Sequence, residues 1–170
     1  MEAEKANSLV LGRLEREFIL GPSEEIVLDR PGGNALYAAA ALSLWNQYVR
    51  LVARIGSEFP AEWLLKFRQA GWDTGGIRQF NAAIEHRRFL VKDEAGELQP
   101  AEPIPQFAQR GLPLPKVLLG YQKPTAGQDS RKERKPSSIR PSDLGDDLES
   151  IIGAHLCPLD YLTHSLISPA

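Results

Sequence analysis

The chain has 170 residues and a mass of 18.8 kDa, which is room for one compact domain with its own core and too little for two ordinary ones. Its 20 Lys+Arg against 22 Asp+Glu leave a net charge of −2, so no global positive field exists to hold nucleic acid or an anionic membrane. Hydrophobic residues at 42% with charged residues at 25% exclude a disordered chain, and the longest apolar run, Ala38 to Leu42, is too short to span a bilayer. The opening Met1-Glu2-Ala3-Glu4-Lys5 lacks the apolar core of a secretory signal. The single Cys157 excludes an internal disulfide framework and suits a reducing cytoplasm.

In chain order, Ser8-Leu9-Val10-Leu11-Gly12 reads as a buried strand followed by a turn. Phe18-Ile19-Leu20 and Glu25-Ile26-Val27-Leu28 are two further short strands, with the turn residues Gly21-Pro22-Ser23 between them. Pro31-Gly32-Gly33-Asn34 opens a helix over 35–45, rich in alanine, whose small side chains let a helix lie close to a sheet. Residues 49–56 form a strand ending in Gly56. Residues 61–70 form an amphipathic helix, with Trp63, Leu64, Phe67 and Ala70 on one face and Gly71 as its stop. Strands are expected over 77–80 and 85–93, the latter followed by the hairpin turn Asp93-Glu94-Ala95-Gly96.

Alternating strand and helix is the pattern of an α/β fold with a mostly parallel sheet. The two strands inserted after the first one do not fit a plain βαβ unit and point to a small extra sheet. The stretch 100–141 holds eight of the 13 prolines and the basic cluster Arg131-Lys132-Glu133-Arg134-Lys135. It reads as a long irregular connection broken by one short strand over 116–120. Ser142 and Asp143 cap a helix running to 152. A strand over 154–159 follows, and 161–167 starts an element that the chain does not finish.

Three segments together resemble the ribokinase-like sugar kinases, the PfkB carbohydrate kinase family. They are Gly12-Arg13-Leu14-Glu15-Arg16-Glu17 after the first strand and Pro31-Gly32-Gly33-Asn34-Ala35-Leu36-Tyr37-Ala38-Ala39-Ala40 at the helix start. The third is Val52-Ala53-Arg54-Ile55-Gly56-Ser57-Glu58-Phe59, continued by Gln69-Ala70-Gly71-Trp72-Asp73-Thr74. Order and spacing agree over 8–93, and Ile152-Gly153-Ala154-His155-Leu156 resembles the strand that carries the sheet onward.

The resemblance implies a central sheet flanked by helices, with a small β lid formed by the stretches at about 14–30 and 77–98. It implies that 1–170 is the N-terminal, substrate-side part of a kinase domain whose C-terminal half is incomplete. The family transfers the γ-phosphoryl group of ATP, with Mg2+, to a sugar-like hydroxyl. Its base, an Asp in Gly-x-Gly-Asp, has no counterpart here. The nearest string, Asp143-Leu144-Gly145-Asp146, has one glycine and a carboxylate at its first position, and Asp143, Asp146 and Asp147 read as helix first-turn carboxylates. No Walker-type phosphate loop is present, so the sequence shows no binding motif for either cofactor and no catalytic residue.

The resemblance places Glu17, Gly32, Gly33, Asn34, Tyr37 and Gly56 at the substrate. Glu17 stands where the family has an Asp that accepts from sugar hydroxyls, and Tyr37 where many members have Asn. The bland alternatives stay open: a tight turn for the glycine pair, a solvated strand position for Glu17. His86, His155 and His164 lack metal-ligand spacing, so no metal site is expected, and His155 reads as a core or sheet-end residue. Cys157 reads as a buried inert thiol. The partner expected is a sugar or sugar-like small molecule, without nucleic acid or membrane, in the cytoplasm, with homodimerisation through the lid strands as the resemblance allows. Two functions follow. One is the N-terminal portion of an ATP-dependent carbohydrate kinase, inactive alone. The other is a non-catalytic sugar-binding or protein-interaction module on the same fold, with an open sheet edge at its apolar end, Leu166-Ile167-Ser168-Pro169-Ala170.

Overall fold

A computed structural model describes residues 7–23, 25–45, 48–124 and 132–167. They divide into two compact units, one made of Met1–Leu14, Gly32–His86 and Asp129–Ala170, the other of Glu15–Pro31 and Arg87–Gln128.

The first unit is built on a four-stranded sheet. β1 (Ser8–Leu11), β4 (Val49–Ile55), β5 (Asp73–Gln79) and β8 (Gly153–Leu156) lie in the order β5-β4-β1-β8, and each neighbouring pair is parallel. A parallel sheet covered on both faces needs apolar residues at successive positions. β1 is buried along its whole length, and β4 is buried at every position except Arg50. Val10, Leu51, Ala53 and Ile55 face one core with Ala35 and Ala39 of α1 (Asn34–Ser43) and Trp63 and Phe67 of α2 (Ala61–Gln69). Phe59 meets Trp63 edge-on at 5.5 Å. Leu9, Leu11 and Val52 face the other way, against Ile139, Leu144, Ile151, Leu159 and Ile167.

The second unit carries the strands that interrupt the βαβ pattern. β2 (Glu15–Leu20), β3 (Ile26–Gly32), β6 (Arg87–Lys92) and β7 (Leu98–Pro100) form a sheet in the order β3-β2-β6-β7. β2 and β6 run parallel, with Glu17 opposite Arg88 and Ile19 opposite Leu90, while β6 and β7 form the expected antiparallel hairpin. Phe18, Leu20 and Phe89 pack on Phe107, Leu118 and Tyr121. Asp29 in β3 has φ 53, a backbone that Asp tolerates better than most residues. Successive strand residues reach opposite faces: Asp29 meets Arg16 at 2.6 Å on one, and Arg30 meets Glu17 at 2.9 Å on the other.

Several expectations are corrected. Within 100–141 lies a helix, α3 (Pro103–Gln109), because Pro103 and Pro105 fall in its first turn, where proline is tolerated. The stretch expected as a strand over 116–120 is a 3-10 turn, Lys116–Leu118. The helix expected from 142 to 152 is only a 3-10 turn, Pro141–Asp143, ended as Asp143 turns its carboxylate inward and Gly145 takes φ 84. Asp143 is therefore not an exposed helix-dipole carboxylate. β8 ends at Leu156, and His155 is exposed on an edge strand rather than in the core. Residues 161–167 form α4 (Tyr161–Ile167). The strand expected over 77–80 belongs to β5, in the same sheet as β1. Arg131 of the basic cluster and Ser168-Pro169-Ala170 of the apolar end lie outside the described residues. Among the described residues no helix is long and apolar enough to cross a membrane.

Candidate functional site

In an open α/β sheet, ligands bind beyond the carboxyl ends of the strands where the strand order changes direction. Here β4 and β5 extend the sheet on one side of β1 and β8 extends it on the other, so that point lies between β1 and β8. The residues beyond it are tightly tied. Gly33, the residue before α1, has φ 96 and ψ 158, a conformation open essentially to glycine alone. Asn34 accepts a hydrogen bond from the Arg13 N–H at 2.7 Å through Oδ1 and donates from Nδ2 to the Pro158 carbonyl at 2.7 Å. The Ala35 N–H donates to the Arg13 carbonyl. A Cβ on Gly12 would stand 2.6 Å from Asn34 Oδ1, so only glycine allows this approach. One helix start thus ties the segments after β1 and β8 together, and no acidic residue lies in its first turn. Such a terminus favours oxygen-rich, electron-donating groups.

Gly56 lies just past the end of β4. Its N–H donates to His86 Nε2 at 2.9 Å, and a Cβ there would stand 2.6 Å from the Ala82 carbonyl oxygen. Because Nε2 accepts, the imidazole proton sits on Nδ1, which donates to the Leu14 carbonyl at 3.0 Å. His86 is buried edge-on to Phe59 at 5.3 Å. His86 lacks metal-ligand spacing, and no local sequence signal marks it, because its partner Gly56 is 30 residues away.

The remaining expected residues are distributed as follows. Gly32 is buried at the end of β3, and Tyr37 is half exposed on α1. Glu17 lies in the second unit, 2% exposed, with Oε2 accepting from Arg30 Nη2 at 2.9 Å and Nε at 3.2 Å. It is a strand residue, as the bland reading had it, but buried and paired rather than solvated. On the same sheet Arg88 donates to Glu15 at 3.0 Å. Burial pulls the Arg88 guanidinium down, but the Glu15 and Glu17 carboxylates outweigh it and hold it above its usual value. A groove of about 400 Å³ in this unit is lined by apolar Ile19, Val27 and Leu98 and charged Glu25, Arg30 and Lys92.

Two buried carboxylates were not singled out correctly from sequence. Asp143 takes a bidentate pair from Arg54, Nε to Oδ2 at 2.6 Å and Nη2 to Oδ1 at 3.0 Å, with both side chains buried. The Arg54 guanidinium also lies 4.7 Å over the Phe80 ring. Asp160 starts α4 and accepts from the Thr163 N–H at 3.1 Å and the Thr163 hydroxyl at 2.7 Å. Burial pushes the Asp160 carboxyl up, but the hydrogen bonds from Thr163 and Ser138 overcome it and leave it below the usual value. Burial pushes the Cys157 thiol up, outweighing a backbone hydrogen bond that lowers it.

The string closest to a phosphate-binding motif begins with Asp143, whose carboxylate is consumed by Arg54. Among the described residues no three His, Cys, Asp or Glu side chains are grouped to hold a metal ion.

No family model and no curated protein matches the chain. Solved structures do resemble it. A ribokinase from Cryptococcus neoformans var. grubii serotype A in complex with ADP is 20% identical with TM-score 0.46, covering 57% of this chain and 34% of its own. A fructokinase from Xylella fastidiosa is 24% identical with TM-score 0.45, covering 57% of this chain and 33% of its own. A nucleoside kinase from Burkholderia thailandensis in complex with inosine is 17% identical with TM-score 0.46, covering 55% of this chain and 34% of its own. The chain spans about a third of the length of these structures.

Proposed function

We propose that this chain is the substrate-side portion of a ribokinase-like carbohydrate kinase. In the intact protein, phosphate would pass from ATP to a hydroxyl of a sugar or nucleoside; residues 1–170 alone would transfer none. The observation that supports this most is Gly33 in its glycine-only conformation at the start of α1, beside the direction change between β1 and β8. Backbone without a side chain at that point lets a polyol approach the helix start, and Asn34 is held in place by two backbone partners. On this reading Gly32, Gly33 and Asn34 meet the substrate, while Gly56 acts indirectly through His86.

A second reading is favoured by a specific observation. The Glu17 carboxylate already accepts from Arg30, and both ends of the Asn34 amide are already bonded. A module that kept the fold and lost the ligand would look like this. Calorimetric titration with a panel of pentoses, hexoses and nucleosides separates the two. The kinase reading expects one class to bind saturably and a Gly33→Ala variant to lose it. Absence of heat from every member up to roughly 10 mM, a free energy weaker than about −3 kcal/mol, would leave the non-catalytic reading standing.

A further inference from the structure

The basic cluster before Ser137 has no part in sugar binding. Lys132, Arg134 and Lys135 precede Ser137, with Glu133 the one acid among them. Ser137 is the one serine of the chain with cations at both the second and the third position before it, Lys135 and Arg134. Such a pattern fits an acidic cleft that reads the chain on one side of a reacting hydroxyl. Residues 132–136 are exposed and lie outside helix and strand. Arg134 has no ion-pair partner among the described residues, so its charge is available to such a cleft. Ser57 also has an arginine at the third position before it, but the guanidinium of that residue, Arg54, is buried against Asp143.

The structure separates the two adjacent serines. Lys135-Pro136-Ser137-Ser138 is a turn closed by the Ser138 N–H, which donates to the Lys135 carbonyl at 3.0 Å. Pro136 takes its second position, where a fixed φ suits the bend. Ser138 is the anchor. It is 1% exposed, its hydroxyl oxygen accepts from the Lys135 N–H at 3.0 Å, and it bonds to the Asp160 carboxylate. Ile139 after it is buried with Leu11 and Val52. Ser137 stands at the third position of the turn, half-buried, and its hydroxyl has no hydrogen-bond partner among the described residues. Opening the turn gives up two hydrogen bonds, both in a segment outside helix and strand, where local opening is easiest.

We infer that Ser137 is the phosphoacceptor for a protein kinase that selects basic residues before its serine. The Ser137 Oγ attacks the γ-phosphorus of the kinase's ATP. An O–P bond forms there as the bond to the β–γ bridging oxygen breaks, ADP leaves, and the hydroxyl proton passes to the kinase's base. The product adds about −1.5 to −2 of charge to the turn at neutral pH. Incubating the full chain with ATP and the catalytic subunit of cyclic-AMP-dependent protein kinase, which reads basic residues, tests the inference, with the site mapped by peptide mass spectrometry. A single phosphate is expected, on Ser137. Ser137→Ala should abolish labelling, and Ser138→Ala should leave the label on Ser137. Arg134→Ala should slow labelling at least ~10-fold at unchanged circular dichroism, because the cleft loses one of its charge partners. No labelling, or labelling of any serine other than Ser137, would overturn the inference. So would an Arg134→Ala variant labelled as fast as the wild type, which would show that the basic run is not read.

Discussion

Both units fix a strand with an arginine–carboxylate pair, but in opposite surroundings. Arg54 and Asp143 of the first unit are 6% and 4% exposed, whereas in the second unit Arg30 is 41% exposed beside its buried partner Glu17, and Arg88 is 42% exposed beside Glu15. The chemistry is the same and the consequences differ. A dry pair gives little net stabilisation relative to an apolar replacement, yet removing one member strands a charge without water. A pair whose arginine reaches solvent loses little when its acid goes, because water takes over. The Arg54–Asp143 site should therefore be brittle, and the Arg30 and Arg88 pairs forgiving.

The sharpest way to break this contrast is Asp143→Ala, expected to destabilise by about 3–5 kcal/mol because Arg54 is left buried and unpaired. Combining it with Arg54→Met should recover much of that loss in urea unfolding; a double variant as unstable as the single one would show that the charge is not the cause. Next in size is Gly56→Ala, whose new Cβ meets the Ala82 carbonyl and should cost about 1–3 kcal/mol. Protection of the Gly56 amide from hydrogen exchange should fall with it, and unchanged protection would contradict its bond to His86.

A smaller effect concerns acid. Asp160 is held below its usual value, so its contribution is complete above the ordinary aspartate range and fades as pH falls through the lowered value. Thr163→Val removes one donor and should cost about 1 kcal/mol at neutral pH. The gap from wild type should narrow as pH falls below the ordinary aspartate range and on through the lowered value of Asp160. A gap constant from neutral to acid would remove Asp160 from the account. The smallest effect is expected at Glu15→Gln, within about 1 kcal/mol and weakened further by salt. A loss rivalling that of Asp143→Ala would end the distinction between the units.

What the sequence showed follows from which forces are local. β1 and β4 were legible as apolar runs and α2 as a helical stripe, because burial there is written into consecutive residues. The hairpin of β6 and β7 was legible from Asp93-Glu94-Ala95-Gly96. The α3 helix is not legible because the proline density of 100–141 reads as irregular chain, whereas Pro103 and Pro105 fall in a helix first turn. The Asp143 environment was out of reach in principle: its partner Arg54 is 89 residues away, and local sequence favoured a helix cap. Gly32, Gly33 and Asn34 are neighbours in the chain and legible as such, whereas the approach of Gly12 to Asn34 is tertiary. That Asn34 and Glu17 already hold protein partners is a fact of tertiary contacts alone.

The central claim is that the start of α1 receives a polyol. The most direct measurement is to follow backbone amide resonances of the full chain while a sugar or nucleoside that binds in calorimetry is added. The account predicts saturable shifts centred on Gly32, Gly33 and Asn34, with Gly56 and His86 following more weakly. Shifts confined to the groove lined by Arg30 and Lys92, with the start of α1 unmoved, would contradict it.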